Sequence, residues 1–187
     1  MSPQLIVTIV VLAPLLGAIV AGLFGRRLGD VASMSVTTGL LFLACALSWL
    51  TFFNTVYGSW HFTHEIAPFI DVGAFRSAWS VRLDSLSAVM LIVVTTVSAL
   101  VHLYSWGYMA DDDSKPRFFA YLSLFTFAML ALVTAADFMQ LFFGWEGVGL
   151  ASYLLIGFWY KRPARHRRRS RPSWSTGSAT SVSHSAS

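Results

Sequence analysis

Charge is what this sequence has least of. Of its 187 residues, 12% are Asp, Glu, Lys or Arg, against about 25% in an ordinary soluble domain. With 56% of residues hydrophobic and a mean hydropathy of +0.63, the composition excludes a water-surrounded globule and indicates a membrane protein. Cysteine is nearly missing too. The one present, Cys45, lies in an apolar run, which excludes a disulfide framework or a cysteine-built metal site. No phosphate-binding glycine loop, metal-ligand spacing or nucleophile–base pair is found, so soluble-enzyme chemistry has no support. Met1 to Ile19 does not read as a signal peptide, because no basic stretch precedes its apolar part and the run is too long.

The net charge of +4 conceals two compositions. Residues 1–163 hold eight basic residues and all nine acidic ones, while five arginines crowd between Arg165 and Arg171. The chain therefore divides into an apolar region, 1–163, and a basic, serine-rich tail, 164–187. The tail has no apolar periodicity and reads as disordered, or as a basic patch for anionic lipid.

Five apolar stretches fill the first region, each near the roughly 20 residues that a helix needs to cross a bilayer. They predict an all-α membrane protein with five transmembrane helices, at about 5–24, 34–56, 84–104, 117–134 and 137–160. The first carries Ala13, Gly17, Ala21 and Gly25 at every fourth position, which suits close helix packing in lipid or is simply ordinary membrane-helix usage. Pro14 is a candidate kink, and Arg26, Arg27 and Asp30 are expected to form a short polar turn. The second stretch reads as apolar all round. Between the second and third, Phe69 to Phe75 and Ala78 to Arg82 suggest a small hairpin at the outer membrane surface, turning near Gly73 to Ser77. Trp60, Phe62, Phe75 and Trp79 fit an interfacial aromatic belt.

Asp84 opens the third stretch, as an N-cap for its first turn or as a transport residue. His102, toward the far end, is an interfacial histidine bonded to a neighbour or a proton relay. Asp111, Asp112 and Asp113 read as a solvated loop, Pro116 marks a helix start, and Ala135 to Asp137 form a tight turn into the fifth stretch. With the N-terminus outside, Arg26, Arg27, Lys115, Arg117, Lys161 and Arg162 fall on the cytoplasmic side, leaving Arg76 and Arg82 outside. The positive-inside rule thus favours N-out and C-in.

Glu146 is the exception in the fifth stretch. A charged group at the centre of a membrane helix costs on the order of 3 kcal/mol. Counted from Asp137 it lies about 14 Å along the axis, close to the bilayer midplane. Gly144, Gly147 and Ala151 on adjoining turns, with Gly149 and Ser152 alongside, are expected to let a helix or water approach the carboxylate. Desolvation favours the neutral acid and a buried lysine would favour the charged one, so a glutamate held between them can take up and release protons. The other reading is a protonated acid serving as hydrogen-bond glue between helices.

Four motifs in order carry a resemblance. Asp84-Ser-Leu-Ser-Ala-Val-Met90, His102-Leu-Tyr-Ser-Trp-Gly-Tyr-Met109, Arg117-Phe-Phe-Ala-Tyr-Leu-Ser-Leu-Phe125 and Gly144-Trp-Glu-Gly-Val-Gly-Leu150 closely resemble the subunit L family of bacterial NADH:quinone oxidoreductase, the counterpart of mitochondrial chain 5. The resemblance covers residues 1–163. It implies a proton-translocating membrane subunit without a redox centre, in the bacterial inner membrane. NADH, FMN, iron–sulfur clusters and quinone are then expected in other subunits, and no cofactor or metal in this chain. It further implies that Glu146 pairs with a lysine on a later helix, and that the segment from Phe69 to Arg82 ties neighbouring antiporter-like subunits together. Lipid and those subunits are the expected partners, with no nucleic acid. Multisubunit cation/proton antiporters and membrane-bound hydrogenases share much of the pattern and form the alternative.

The family continues for many more helices, whereas this chain is expected to be a five-helix fragment that inserts without pumping. Reading Arg171 to Ser187 one base earlier, with suitable codons, gives Lys-Ala-Phe-Val-Val-Asn-Arg-Val-Gly-Asp-Phe-Gly-Phe-Ala-Leu-Gly-Ile, which resembles the family's next segment. That match predicts a frameshift close to Ala164.

Overall fold

The computed structural model describes residues 2–73, 75–110, 112 and 114–159. The expectations for the tail, 164–187, and for Asp111 and Asp113 lie outside the described residues. Five long helices dominate: α1 (Pro3–Leu28), α2 (Asp30–Val56), α3 (Ser85–Tyr108), α4 (Lys115–Val133) and α5 (Phe138–Ile156). All five are long and apolar enough to cross a membrane. A two-stranded hairpin, β1 (Phe62–Val72) with β2 (Phe75–Leu83), joins α2 to α3, and a short 3-10 turn, Gly157–Trp159, follows α5.

Local chemistry sets the helix ends. The hydroxyl of Ser2 caps α1 by accepting from the Leu5 amide, and Asp84 and Asp137 accept the Ser87 and Gln140 amides at the starts of α3 and α5. α4 begins with Pro116 in its first turn, where a missing N–H costs no hydrogen bond. The expected polar turn from Arg26 to Asp30 is instead almost wholly helical. Gly29 alone separates α1 from α2, at φ +87°, a conformation that other residues enter with strain. α1 runs unbroken through Pro14.

The small-residue stripe of α1 faces inward. Ala13, Gly17, Ala21 and Gly25 are all buried, and α1 packs chiefly between α2 and α4. At Gly17 an added Cβ would lie 3.5 Å from the Thr37 Cα, and at Gly25 only 2.6 Å from Pro116. Packing therefore explains this stripe.

α2 departs from the all-apolar expectation. Its buried face carries Ser33, Thr37, Thr38, Ser48, Thr51 and Thr55, while Phe42, Leu43, Trp49 and Phe53 point outward. These hydroxyls are affordable inside because most return their proton to their own helix. Thr37 bonds the Ser33 carbonyl at 3.0 Å, and Ser48, Thr51 and Thr55 bond the carbonyls of Ala44, Leu47 and Thr51 at 2.8 Å. Thr38 accepts from the Trp106 indole of α3 at 2.9 Å. Small polar side chains with satisfied hydroxyls allow the close helix approach that drives association in lipid.

The hairpin is longer than its expected core, and its turn comes earlier, at Gly73 with φ +60°. β1 and β2 pair antiparallel from Phe62 with Leu83 to Val72 with Phe75, with irregularities beside Ala67 and Ile70. Val81 and Leu83 enter a core with Val7, Val10, Val11, Ala88, Leu91 and Leu130, against which Trp60 and Phe62 are half-buried. The proposed aromatic belt is thus partly an end-cap of the bundle. Trp79 instead meets Phe69 and Phe143 edge-on, with ring centroids 5.8 and 5.1 Å away.

Candidate functional site

Asp84, His102 and Glu146 occupy three separate places, and no hydrogen bond or ion pair joins any two of them among the described residues. Asp84 sits outside the spans as the N-cap of α3, its Oδ1 2.8 Å from the Ser87 amide and its Oδ2 3.0 Å from Arg82 Nη2. The Ser87 amide holds this carboxyl below its ordinary range, with help from Arg82. Every polar atom thus has a local, structural explanation.

His102 is bonded to neighbours on its own helix and on α4. It is fully buried between α3 and α4, one ring nitrogen 2.9 Å from the Ser98 carbonyl and the other 3.1 Å from the Ser123 hydroxyl. A carbonyl only accepts, so Nδ1 carries the proton in the neutral ring and Nε2 accepts from Ser123. The Phe119 ring meets the imidazole edge-on at 5.8 Å. Ser98 also bonds Thr126 across the same seam. Together Ser98, His102, Ser123 and Thr126 form a polar tie between two helices whose surrounding surface is apolar.

Glu146 lies near the middle of α5, about 12 Å along the axis from Phe138 at 1.5 Å per residue. Gly144, Gly147 and Ala151 do not surround its carboxylate, contrary to the sequence reading. They seat α5 on α4: an added Cβ at Gly144 would come 2.8 Å from the Leu132 Cα, and one at Gly147 would come 3.2 Å from Ala128 Cβ. At 3.6 residues per turn, Glu146 is rotated about 200° from Gly144 and leaves from the opposite side of the helix. It is exposed there, among the exposed side chains Phe142, Trp145 and Tyr153. Gly149 does share that side, and nothing lies within 4 Å of where its Cβ would be. Glu146 thus stands between bulky apolar side chains on an open helix face. It makes no ion pair among the described residues.

α5 is held firmly at its two ends. At the far end, Phe158 meets Phe118 at 5.4 Å and the Arg117 guanidinium lies 5.7 Å from its ring centroid. At the near end, Asp137 accepts from the Gln140 amide and the Ser77 hydroxyl, each at 2.8 Å. These bonds, the Gln140 amide foremost, keep the Asp137 carboxyl below its ordinary range. Gln140, buried, clamps Ser80 of β2. Sequence reasoning passed over Gln140. Its signal was a lone carboxamide in an apolar run, but its partner lies sixty positions away and no local pattern reveals it.

Two family models match the chain. Residues 69–119 match "NADH-Ubiquinone oxidoreductase (complex I), chain 5 N-terminus", and residues 135–170 match "NADH:quinone oxidoreductase/Mrp antiporter, TM". Similar proteins include NADH-quinone oxidoreductase subunit L of Rhodobacter capsulatus, 57% identical over 84% of this chain and 23% of that protein. NADH-ubiquinone oxidoreductase chain 5 of Arabidopsis thaliana is 52% identical over 82% of this chain and 23% of its own length. Subunit L of Rickettsia bellii is 45% identical over 87% and 25%. The chain thus spans about a quarter of the length of the curated relatives it matches. With five apolar helices and these matches over most of its residues, it is a membrane protein that belongs to the subunit L/chain 5 family of NADH:quinone oxidoreductases.

Proposed function

We propose that residues 1–163 form the N-terminal membrane region of a proton-translocating subunit of NADH:quinone oxidoreductase, with Glu146 as a carboxylate on the proton path. The observation that carries this reading is the placement of Glu146. It stands mid-helix, within the Gly144 to Leu150 motif, on the face of α5 turned away from α4. A glue residue would be expected on the packed face, where a neighbouring helix supplies its hydrogen-bond partner. On the open face the acid is available to a group outside the five helices, which suits the lysine on a later helix that the family resemblance implies. Protonation neutralises the carboxylate while it faces apolar surroundings, and approach of the cationic partner releases the proton onward.

In this reading the chain carries no redox centre, and the electron chemistry of NADH and quinone belongs to other subunits. By the positive-inside rule, the basic residues favour an N-terminus outside and the end of α5 inside a bacterial inner membrane. The hairpin then lies on the outer surface, where it meets a neighbouring antiporter-like subunit. Asp84 and His102 serve as an N-cap and as an interhelical tie. The relatives' names favour the oxidoreductase over a stand-alone antiporter or a hydrogenase subunit.

Residues 164–187 we read as out of frame. The re-translated segment supports this. Resequencing across Ala164 tests it, and DNA that cannot be read in the shifted frame would sink it. For function, NADH-driven proton uptake is measured in membranes carrying the subunit in frame, with and without Glu146→Gln. The variant is expected to abolish or sharply reduce uptake by this subunit, and normal pumping would refute the role given to Glu146.

A further inference from the structure

β2 has two edges, and only one is used by β1. Along the other edge, alternate amides point toward the junction between α4 and α5, and that junction receives two of them. The Gln140 Oε1 takes the Ser80 amide at 3.1 Å, and the Thr134 carbonyl takes the Arg82 amide at 2.9 Å. The α4–α5 junction therefore stands where a third strand would. Gln140 does most to imitate one. Its Oε1 also accepts from the Ser80 hydroxyl at 3.3 Å, and its Nε2 donates to the Ser80 carbonyl at 2.8 Å. A side-chain amide that both accepts from and donates to one residue's backbone fixes position in two directions. Beside these bonds a cavity of about 390 Å³ is lined by residues including Thr63, Glu65, Asp71, Arg76, Ser80 and Asp137, and the rings of Phe69 and Trp79 meet Phe143 of α5 edge-on.

We propose that Gln140 is a positioning residue that sets the rotation and height of α5, and through them where Glu146 stands. This rests on the reading of Glu146 as a proton carrier. Gln140 precedes Glu146 by six residues, about 9 Å of helix, and Gly144 between them sets how close α5 lies to α4 without gripping it by side chains. Among the described residues Glu146 makes no hydrogen bond or ion pair that would hold its helix face. A movement of the hairpin, as when a neighbouring subunit presses on it, passes through Ser80 and Gln140 into α5 and re-aims the carboxylate.

The test uses membranes holding the intact oxidoreductase with Gln140→Leu, Gln140→Glu and Glu146→Gln. Proton uptake is measured across pH, and the rate at which a hydrophobic carbodiimide labels Glu146 is followed by mass spectrometry. Gln140→Leu keeps the size of the side chain and loses the clamp. It should lower uptake by roughly ten- to a hundredfold at normal subunit content and change the labelling rate severalfold. Gln140→Glu should behave like Gln140→Leu at high pH and recover as pH falls, because the protonated carboxyl again offers Ser80 both an acceptor and a donor. His64, Glu65, Asp71, Arg76, Arg82 and Asp137 are common to both variants, so a difference between their profiles belongs to position 140.

Wild-type labelling and wild-type uptake in Gln140→Leu would overturn the proposal, as would a Gln140→Glu enzyme that does not recover in acid. If Gln140→Leu is lost from the membrane, the pH recovery of Gln140→Glu decides the matter. If Glu146→Gln pumps normally, the functional reading fails, while the labelling rates still judge the positioning.

Discussion

α1 and α5 carry the same device and use it to different extents. Each places small residues along one side to meet a neighbouring helix closely. In α1 half of the apolar span is buried, because α2 and α4 flank it, whereas in α5 the buried share is 17%. The second side of α5 bears Glu146 and a set of exposed aromatic and aliphatic side chains. The difference separates two meanings of a glycine in a membrane helix. On α5, Gly144 and Gly147 mark the packing side, while Glu146 and Gly149 stand on the open one.

Mutations can break that comparison at graded strength. Gly144→Leu should do the most damage, because its Cβ would strike the Leu132 backbone at 2.8 Å and backbone cannot step aside. A cost of about 3 kcal/mol or more should appear as a lower unfolding temperature in detergent and less subunit in the membrane. Gly25→Ala is the α1 counterpart, with its methyl 2.6 Å from the Pro116 ring, and should cost about 1–3 kcal/mol in the same melt. Gly17→Ala should be nearly silent, since its contacts begin at 3.5 Å. Gly149→Ala, on the open side of α5, should be neutral or stabilise by up to about 1 kcal/mol. A large loss there would mean that α5 packs by a different face.

The caps sharpen the comparison at the helix ends. Asp84→Ala and Asp137→Ala should each cost about 1 kcal/mol at neutral pH, with the Asp137 variant also loosening the hairpin through Ser77. Both carboxyls are held below their ordinary range, first by the Ser87 and Gln140 amides respectively. Their stabilisation is therefore complete above the unfolded value of about 3.9 and is lost as pH falls through the lower folded one. Melting curves taken from neutral pH downward should show variant and wild type converging only in that acid window.

The five spans were legible because length and apolarity suffice to show a membrane helix. Their boundaries were less so: Arg26 and Arg27 look like a turn, yet Gly29 alone breaks the helix. The buried hydroxyl face of α2 was invisible to an apolarity scan, since Ser and Thr that bond their own helix cost little inside. The face of Glu146 was present in the sequence, in the 100° spacing of helix residues, but proximity along the chain suggested that the glycines surround it. The clamp of Gln140 on Ser80 lay beyond local reading, because sixty positions separate its partners and only the fold brings the free edge of β2 to the start of α5.

The central claim is that the open side of α5 works while the closed side holds. The most direct measurement takes one set of membranes with Glu146→Gln in the intact subunit and determines subunit content and NADH-driven proton uptake together. The account predicts normal content with uptake by this subunit lost or greatly reduced. Normal uptake, or loss of the subunit from the membrane, would contradict it.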